Sequence, residues 1–371
     1  MELSGNAGRP LVVHDYFAIR GGGERLVLTL ADAVGADLLF GYRSPDSYDD
    51  AMFPAGTRDL NLPMALRRPG LRAAALAARF AMERRRVARH DLRVFSGVAA
   101  PFAAPDAGGP GRNIFYCHTP PRFLYDQRAH FASMLGGPAG ALKKAGLAQF
   151  RRGYEAAVGR MEAIVANSET VQARIRSFLG RDSTVVYPPC DTKSFVWGGQ
   201  QDYYLSTARL AGLKRVDRIV DAFRMMPDRQ LVVASGGDEL AALRRRAEDA
   251  PNITFLGWVE EDRLRRLIGE AIATIYVPVE EDFGMSPVES MAAGKPVIGV
   301  AEGGLRETIV DGETGILLPP DFQPADIADA VGRLPASRAA AMRAACEARA
   351  ELFSEERFVA GMRAVVLGAD A

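Results

Sequence analysis

A chain of 371 residues, with 48% hydrophobic and 25% charged residues and no net charge, reads as an ordinary soluble protein of two domains. Three widely spaced cysteines, Cys117, Cys190 and Cys346, with no C-x-x-C pair, argue against a disulfide framework or a zinc site. The sequence shows no signal-peptide pattern and no run of 18 apolar residues, so a hydrophobic bilayer span is excluded and a cytoplasmic protein is expected.

Short apolar runs alternate with helical patterns along the chain. In the first half strands are expected at residues 11–14, 38–41, 92–96, 114–118, 163–167 and 184–187, with helices at 24–34 and 169–179. Between them lies a basic amphipathic segment carrying Arg67, Arg68, Arg72, Arg79, Arg84, Arg85, Arg86 and Arg89. That pattern suits an anionic membrane surface or ligand, or simply a solvated helix. It lacks interleaved aromatics and any nucleic-acid motif, so nucleic acid is not an expected partner. Residues 136–140 read as a loop. Pro188, Pro189, Gly198 and Gly199 mark a break, after which the pattern restarts. Strands are then expected at 203–207, 230–235, 253–256, 272–277, 296–300 and 315–318, with helices at 217–226, 240–250 and 262–270 and a helical end from 335 to 367. Two such series predict two doubly wound α/β domains, 1–195 and 196–350. Charge divides with them: residues 1–195 hold 26 Lys and Arg against 18 Asp and Glu, and residues 196–371 hold 20 against 28.

Open parallel sheets bind ligands beyond the carboxyl ends of their strands, so the loops there carry the functional reading. Gly21-Gly22-Gly23-Glu24 follows the first strand and opens a helix, a place where backbone and helix terminus suit a phosphate, or a plain flexible turn. It is not the G-x-G-x-x-G fingerprint, which disfavours a nucleotide-dependent dehydrogenase. His118 ends a strand before Thr119-Pro120-Pro121 and can hydrogen-bond a sugar hydroxyl, shuttle a proton, or serve structure alone. His14, at another strand end, has the same readings with less force, and His90 and His130 are given no role. In the second half Arg209 and Lys214 place two cations after one strand, as a diphosphate requires. Gly236-Gly237-Asp238 is a further close-approach turn. Glu281 follows another strand. Ser286-Pro287-Val288-Glu289 reads as a helix start with Ser286 as N-cap and Glu289 closing a capping box. Phe283, Gly284, Met285 and Ser286 then offer main-chain N–H groups between two carboxylates, Glu281 and Glu289.

With Glu281-Asp282-Phe283-Gly284, Glu289 and Gly294-Lys295-Pro296-Val297, the sequence resembles family 4 retaining glycosyltransferases of the GT-B fold. The likeness includes Gly21–Glu24, His118, Asn167-Ser168, Tyr187-Pro188-Pro189-Cys190-Asp191, Arg209 with Lys214, Gly257 and Gly303-Gly304. The stretch Cys117-His118-Thr119-Pro120-Pro121-Arg122 is similar to that of bacterial polysaccharide enzymes that move mannose from GDP-mannose.

The resemblance implies two Rossmann-like domains facing across a cleft, with a last segment, 351–371, crossing back to the first. Arg209 and Lys214 would hold the donor diphosphate, Gly22, Gly23 and Gly237 would approach it through backbone, and Phe283–Ser286 would bind sugar and phosphates through N–H groups. Glu289 would take the ribose hydroxyls, Val259 would edge the base, and Glu281 and His118 would contact the transferred sugar as the catalytic pair. No metal and no cofactor are expected, since Asp-x-Asp is missing after a cleft strand. The expected partners are a nucleotide-sugar donor, a lipid-linked or other saccharide acceptor, and, as a peripheral contact, an anionic membrane surface. A transferase using a UDP- or other nucleotide sugar, or an inactive nucleotide-sugar-binding protein, is the alternative.

Overall fold

The computed structural model describes residues 9–18, 21–45, 47–126 and 140–368. His130 and most of the loop expected at 136–140 lie outside the described residues. The chain divides into two compact units, Met1–Pro188 with Phe358–Ala371, and Pro189–Arg357.

The first unit is built on β1 (Leu11–His14), β2 (Asp37–Phe40), β3 (Arg58–Asp59), β4 (Leu92–Ser96), β5 (Arg112–Cys117), β6 (Ala163–Ala166) and β7 (Thr184–Val185). They pair in parallel in the order β3-β2-β1-β4-β5-β6-β7. Both faces of this sheet are covered. Val13, Phe95 and Phe115 pack into one apolar cluster, while their neighbours Val12, Val94 and Ile114 pack into another. Strands buried on both faces read as continuous apolar runs, which is why their positions were visible in the sequence. β3 was not, because two residues, Arg58 and Asp59, make no run.

The second unit holds β8 (Tyr204–Ser206), β9 (Leu231–Val233), β10 (Ile253–Phe255), β11 (Thr274–Tyr276), β12 (Val297–Val300) and β13 (Gly315–Leu318), parallel in the order β10-β9-β8-β11-β12-β13. Strand order reverses between β1 and β4 in one sheet and between β8 and β11 in the other. In open parallel sheets such switch points are where ligands bind, beyond the strands' carboxyl ends.

The first unit ends at Pro188, not at 195, because the next residues belong to the second. The Cys190 amide bonds the Phe353 carbonyl at 2.8 Å, and Phe195 joins the core around Tyr203 and Leu205. Trp197 is held by Lys295, whose Nζ lies 3.3 Å from the ring centroid, and by Arg343 at 4.9 Å. Lys295 also donates to the Gly199 carbonyl, and burial draws its pKa down to about 8. The helix Glu355–Leu367 returns to the first unit, where Phe358 and Met362 enter the core beside Val12 and Tyr116. Arg112 Nη1 ties its end by donating to the Val366 carbonyl at 2.7 Å.

Candidate functional site

The second unit's switch point assembles a charged triad. Lys214 stands in the turn Gly212–Lys214 after β8, and Tyr276 is the last residue of β11. The Lys214 ammonium donates to Glu281 Oε2 and, at 2.9 Å, to the Tyr276 hydroxyl. Tyr276 donates to the same carboxylate oxygen at 2.9 Å. Burial foremost, with the Glu281 carboxylate adding, raises the Tyr276 pKa well above 10, so the phenol keeps its proton and acts as donor. An ammonium has three N–H donors, so Lys214 retains one for a ligand oxygen.

Beside the triad begins the helix Met285–Ala292. The expected capping box is not formed. Gly284 is the N-cap, at φ 98° and ψ 76°, without a side-chain cap bond. A positive φ of that size favours glycine, and it lets the helix start two residues before Pro287. Ser286 is therefore a helical residue, and Glu289 lies half-buried beyond the first turn. The first N–H groups of a helix have no intrahelical acceptor and carry partial positive charge. Phe283 contributes only backbone here, since its ring is buried against Phe353 with centroids 5.3 Å apart.

Neighbouring loops fix this arrangement. Arg215, at φ 51°, donates to the carbonyls of Val277 and Pro278 at 2.6 Å each and pairs with Glu302 at 3.2 Å. Glu302 Oε2 in turn accepts from the Glu280 amide at 3.1 Å. Gly303 and Gly304 lie directly on the loop: a Cβ on Gly303 would come within 2.2 Å of the Glu281 carbonyl, and one on Gly304 within 2.5 Å of Phe283 Cα.

The other second-unit residues are spread around the same end of the sheet. Arg209 is exposed, in the loop after β8. That loop is pinned to the Gly236–Gly237 turn by the Leu210 amide, which bonds the Gly236 carbonyl at 3.0 Å, and Gly237, at φ 152°, leaves 2.3 Å between its would-be Cβ and the Leu210 carbonyl. Val259 packs on the core cluster of Phe195 and Leu205, while its neighbour Trp258 is 72% exposed and lies over Gly236.

In the first unit the switch point joins two histidines. His118 follows β5, and its Nε2 lies 2.8 Å from Ser96 Oγ at the end of β4. Ser96 Oγ and the Ser96 carbonyl are each 3.2 Å from His14 Nδ1 at the end of β1. Asp15, next in sequence, accepts from the amides of Val98, Ala99 and Ala100 at 2.7–2.8 Å and fixes the loop after β4. The helix Gly22–Ala33 begins earlier than expected, so Gly22 and Gly23 are its first two residues, and Gly23 faces the His118 ring. Tyr276, Arg215, Glu302, Ser96 and Asp15 were not singled out from sequence; all but Arg215 carried only the signal of a place at or just after a strand end, and Arg215 stands at the N-cap of the helix Val216–Arg224.

Burial lowers the pKa of His118 to about 4, and burial with repulsion from His118 lowers that of His14 to about 3. An unfolded histidine titrates near 6.5. Between that value and the folded ones, only the unfolded chain takes up protons, so acidification weakens the first unit. Asp15, raised to about 6 by burial, binds its proton more tightly when folded and opposes the trend below that pH. The two histidines carry the larger shifts together. Amide-exchange protection in β1, β4 and β5 is therefore expected to fall between pH 7 and pH 5, after correction for intrinsic rates, and to fall less in His118→Gln. Equal protection at both pH values would contradict the burial described.

Much of the first unit's arginine cluster is engaged internally. Arg58, Arg79 and Arg86 surround the buried Glu83, Arg67 stacks on Tyr42 at 4.3 Å, and Arg72 on Tyr16 at 4.7 Å. Arg68, Arg85 and Arg89 are exposed, as are Met64, Leu66, Leu71 and Met82. Among the described residues no helix is long and apolar enough to cross a membrane.

Comparison with known proteins adds to this picture. Residues 191–352, inside the second unit, match the family model described as "Glycosyl transferases group 1". The chain is 28% identical to the GDP-mannose-dependent alpha-(1-6)-phosphatidylinositol monomannoside mannosyltransferase of Mycobacterium tuberculosis, over 90% of this chain and 91% of that protein. It is 24% identical to alpha-1,3/1,6-mannosyltransferase ALG2 of Dictyostelium discoideum, over 66% of this chain and 67% of the relative. Among solved structures it is similar to Anabaena Alr3699/HepE in complex with UDP and glucose, with a TM-score of 0.75 at 17% identity, over 97% of this chain and 100% of that one. The chain has the two parallel-sheet, Rossmann-like domains of the GT-B fold, and its second unit carries the match to group 1 glycosyl transferases.

Proposed function

We propose that the protein is a retaining, metal-independent glycosyltransferase of family 4, moving mannose from GDP-mannose onto a lipid-linked saccharide during assembly of a surface polysaccharide or O-antigen. The observation that carries this reading is the triad Lys214–Glu281–Tyr276 at the β8/β11 switch point, beside the N-terminus of the helix Met285–Ala292. A cation and main-chain amides there suit a pyrophosphate, and a carboxylate suits sugar hydroxyls. The names of the mannosyltransferase relatives support the choice of mannose. The solved relative holding UDP and glucose keeps a UDP-sugar as the second reading.

In this reaction the bond from the sugar's anomeric carbon to the diphosphate breaks while the bond to the acceptor oxygen forms on the same face. The departing phosphate oxygen takes the acceptor's proton. Lys214, Arg209 and the helix amides stabilise the charge that builds on the leaving diphosphate. A double displacement would need a free carboxylate nucleophile. Glu281 suits that poorly, because its Oε2 accepts from both Lys214 and Tyr276. The first unit's exposed Arg68, Arg85 and Arg89, with Met64, Leu71 and Met82, would rest on an anionic membrane at the inner face of the cell, where a lipid-linked acceptor is found.

Incubation with GDP-mannose, UDP-glucose and a lipid-linked saccharide, with and without EDTA, tests the reading. GDP release coupled to an α-linked product, unchanged by chelation, is expected. An inverted anomer, a strict metal requirement, or no turnover of any nucleotide sugar would refute it.

A further inference from the structure

We infer that Ser96 fixes His118 as an imidazole with its proton on Nδ1, so that His118 donates a hydrogen bond to the ligand and does not accept a proton from it. The chain of bonds leads there in steps. A backbone carbonyl can only accept. His14 Nδ1 lies 3.2 Å from the Ser96 carbonyl, so that nitrogen carries the proton; otherwise two lone pairs would face each other in a buried place. The same N–H is 3.2 Å from Ser96 Oγ, which therefore accepts from it. A hydroxyl has two acceptor lone pairs and one proton; with one lone pair taken by His14, we place the proton on the shorter of the two ring contacts, to His118 Nε2 at 2.8 Å. A ring nitrogen that accepts bears no proton, and in a neutral imidazole the proton is on the other nitrogen. Burial keeps both rings neutral.

The Nδ1 edge of His118 faces the start of the helix Gly22–Ala33. A Cβ on Gly23 would sit 3.7 Å from His118 Cε1 and 3.9 Å from Nδ1. The N-cap there, Gly21, offers no side chain to the helix's first amides. Both neighbours are thus hydrogen-bond donors, and the group they suit is an oxygen with a free lone pair, either a hydroxyl or a phosphate oxygen. Ser96 acts through His118 and is a positioning residue. This inference rests on the proposed function only for the identity of the ligand; the tautomer stands on geometry alone.

The test uses the full chain labelled with ¹⁵N-histidine and long-range ¹H–¹⁵N correlation spectra. In the wild type at pH 7, His118 is expected to show a protonated Nδ1 and a bare Nε2, and Ser96→Ala to show a mixture of tautomers. A protonated Nε2 in the wild type, or an unchanged pattern in Ser96→Ala, overturns the inference whatever the protein's activity. Adding GDP and then GDP-mannose separates the ligand oxygens. A change at Nδ1 with GDP alone assigns a phosphate, one that requires the sugar assigns a hydroxyl, and in both the proton stays on Nδ1. In turnover, Ser96→Ala is expected to lose about tenfold in kcat/KM, the worth of one hydrogen bond. His118→Gln, which keeps a donor but carries no titrating proton, is expected to stay within about tenfold of wild type. His118→Ala is expected to fall about a hundredfold. A proton-transfer role would instead drop both by about a hundredfold or more.

Discussion

Lys214→Ala is expected to cut sugar transfer by at least about a hundredfold while leaving the second unit folded, the loss typical when a preorganised charge donor is removed from a transition state. The side chain is 26% exposed, and its ion pair with Glu281 sits at the open end of the sheet. A partly solvated pair of that kind contributes at most about 1 kcal/mol to stability. Glu281 Oε2 keeps its bond from Tyr276 when the ammonium is gone, so no carboxylate is stranded. What disappears is the cation that meets a departing diphosphate. Arg209→Ala is expected to act in the same direction, since that guanidinium is exposed. Steady-state rates beside a thermal melt check both variants. Near-normal rates in either would remove that residue from the diphosphate site.

The next residue should behave in the opposite way. Arg215→Ala is expected to destabilise the second unit by about 3–5 kcal/mol, because it leaves a buried charge without its partner. The Arg215 and Glu302 side chains are only 11% and 9% exposed. Arg215 also satisfies the Val277 and Pro278 carbonyls and stacks 4.8 Å from the Phe322 centroid. Lysine has a point charge in place of the planar fork and cannot reproduce all three bonds, so Arg215→Lys should rescue little. Both tryptophans, Trp197 and Trp258, lie in the second unit, so their fluorescence during urea unfolding reports on that unit. A midpoint equal to wild type would contradict the buried-pair account. Activity is expected to fall as well, since Arg215 and Glu302 hold the loop that delivers Glu281.

The contrast between these neighbours shows what the sequence could and could not convey. The strands were legible because parallel strands buried on both faces are short apolar runs between helical patterns. Residues after those strands could be placed at the ligand end of a sheet, and Lys214 and Glu281 do meet there across 67 residues of chain. Arg215 was not singled out, because its partner, Glu302, is 87 residues away. Ser96 carried no motif, and its role comes from register: it pairs with His14 on one side and Tyr116 on the other, two residues before His118. Ser286 to Glu289 matched a capping pattern, but the backbone of Gly284 turns left-handed and starts the helix first. No rule of residue spacing reveals a left-handed glycine of that kind. The boundary expected at 195 moved to Pro188 for a similar reason, since the Cys190–Phe353 bond joins segments far apart in sequence.

Calorimetric titration of the full chain with GDP-mannose, in wild type and Lys214→Ala, bears most directly on the second unit's switch point as the seat of the donor diphosphate. One donor per chain should bind the wild type, with affinity reduced at least about tenfold in the variant, as expected for loss of a charge-assisted bond. Equal affinity in the two proteins, or no binding of any nucleotide sugar to the wild type, would contradict the assignment.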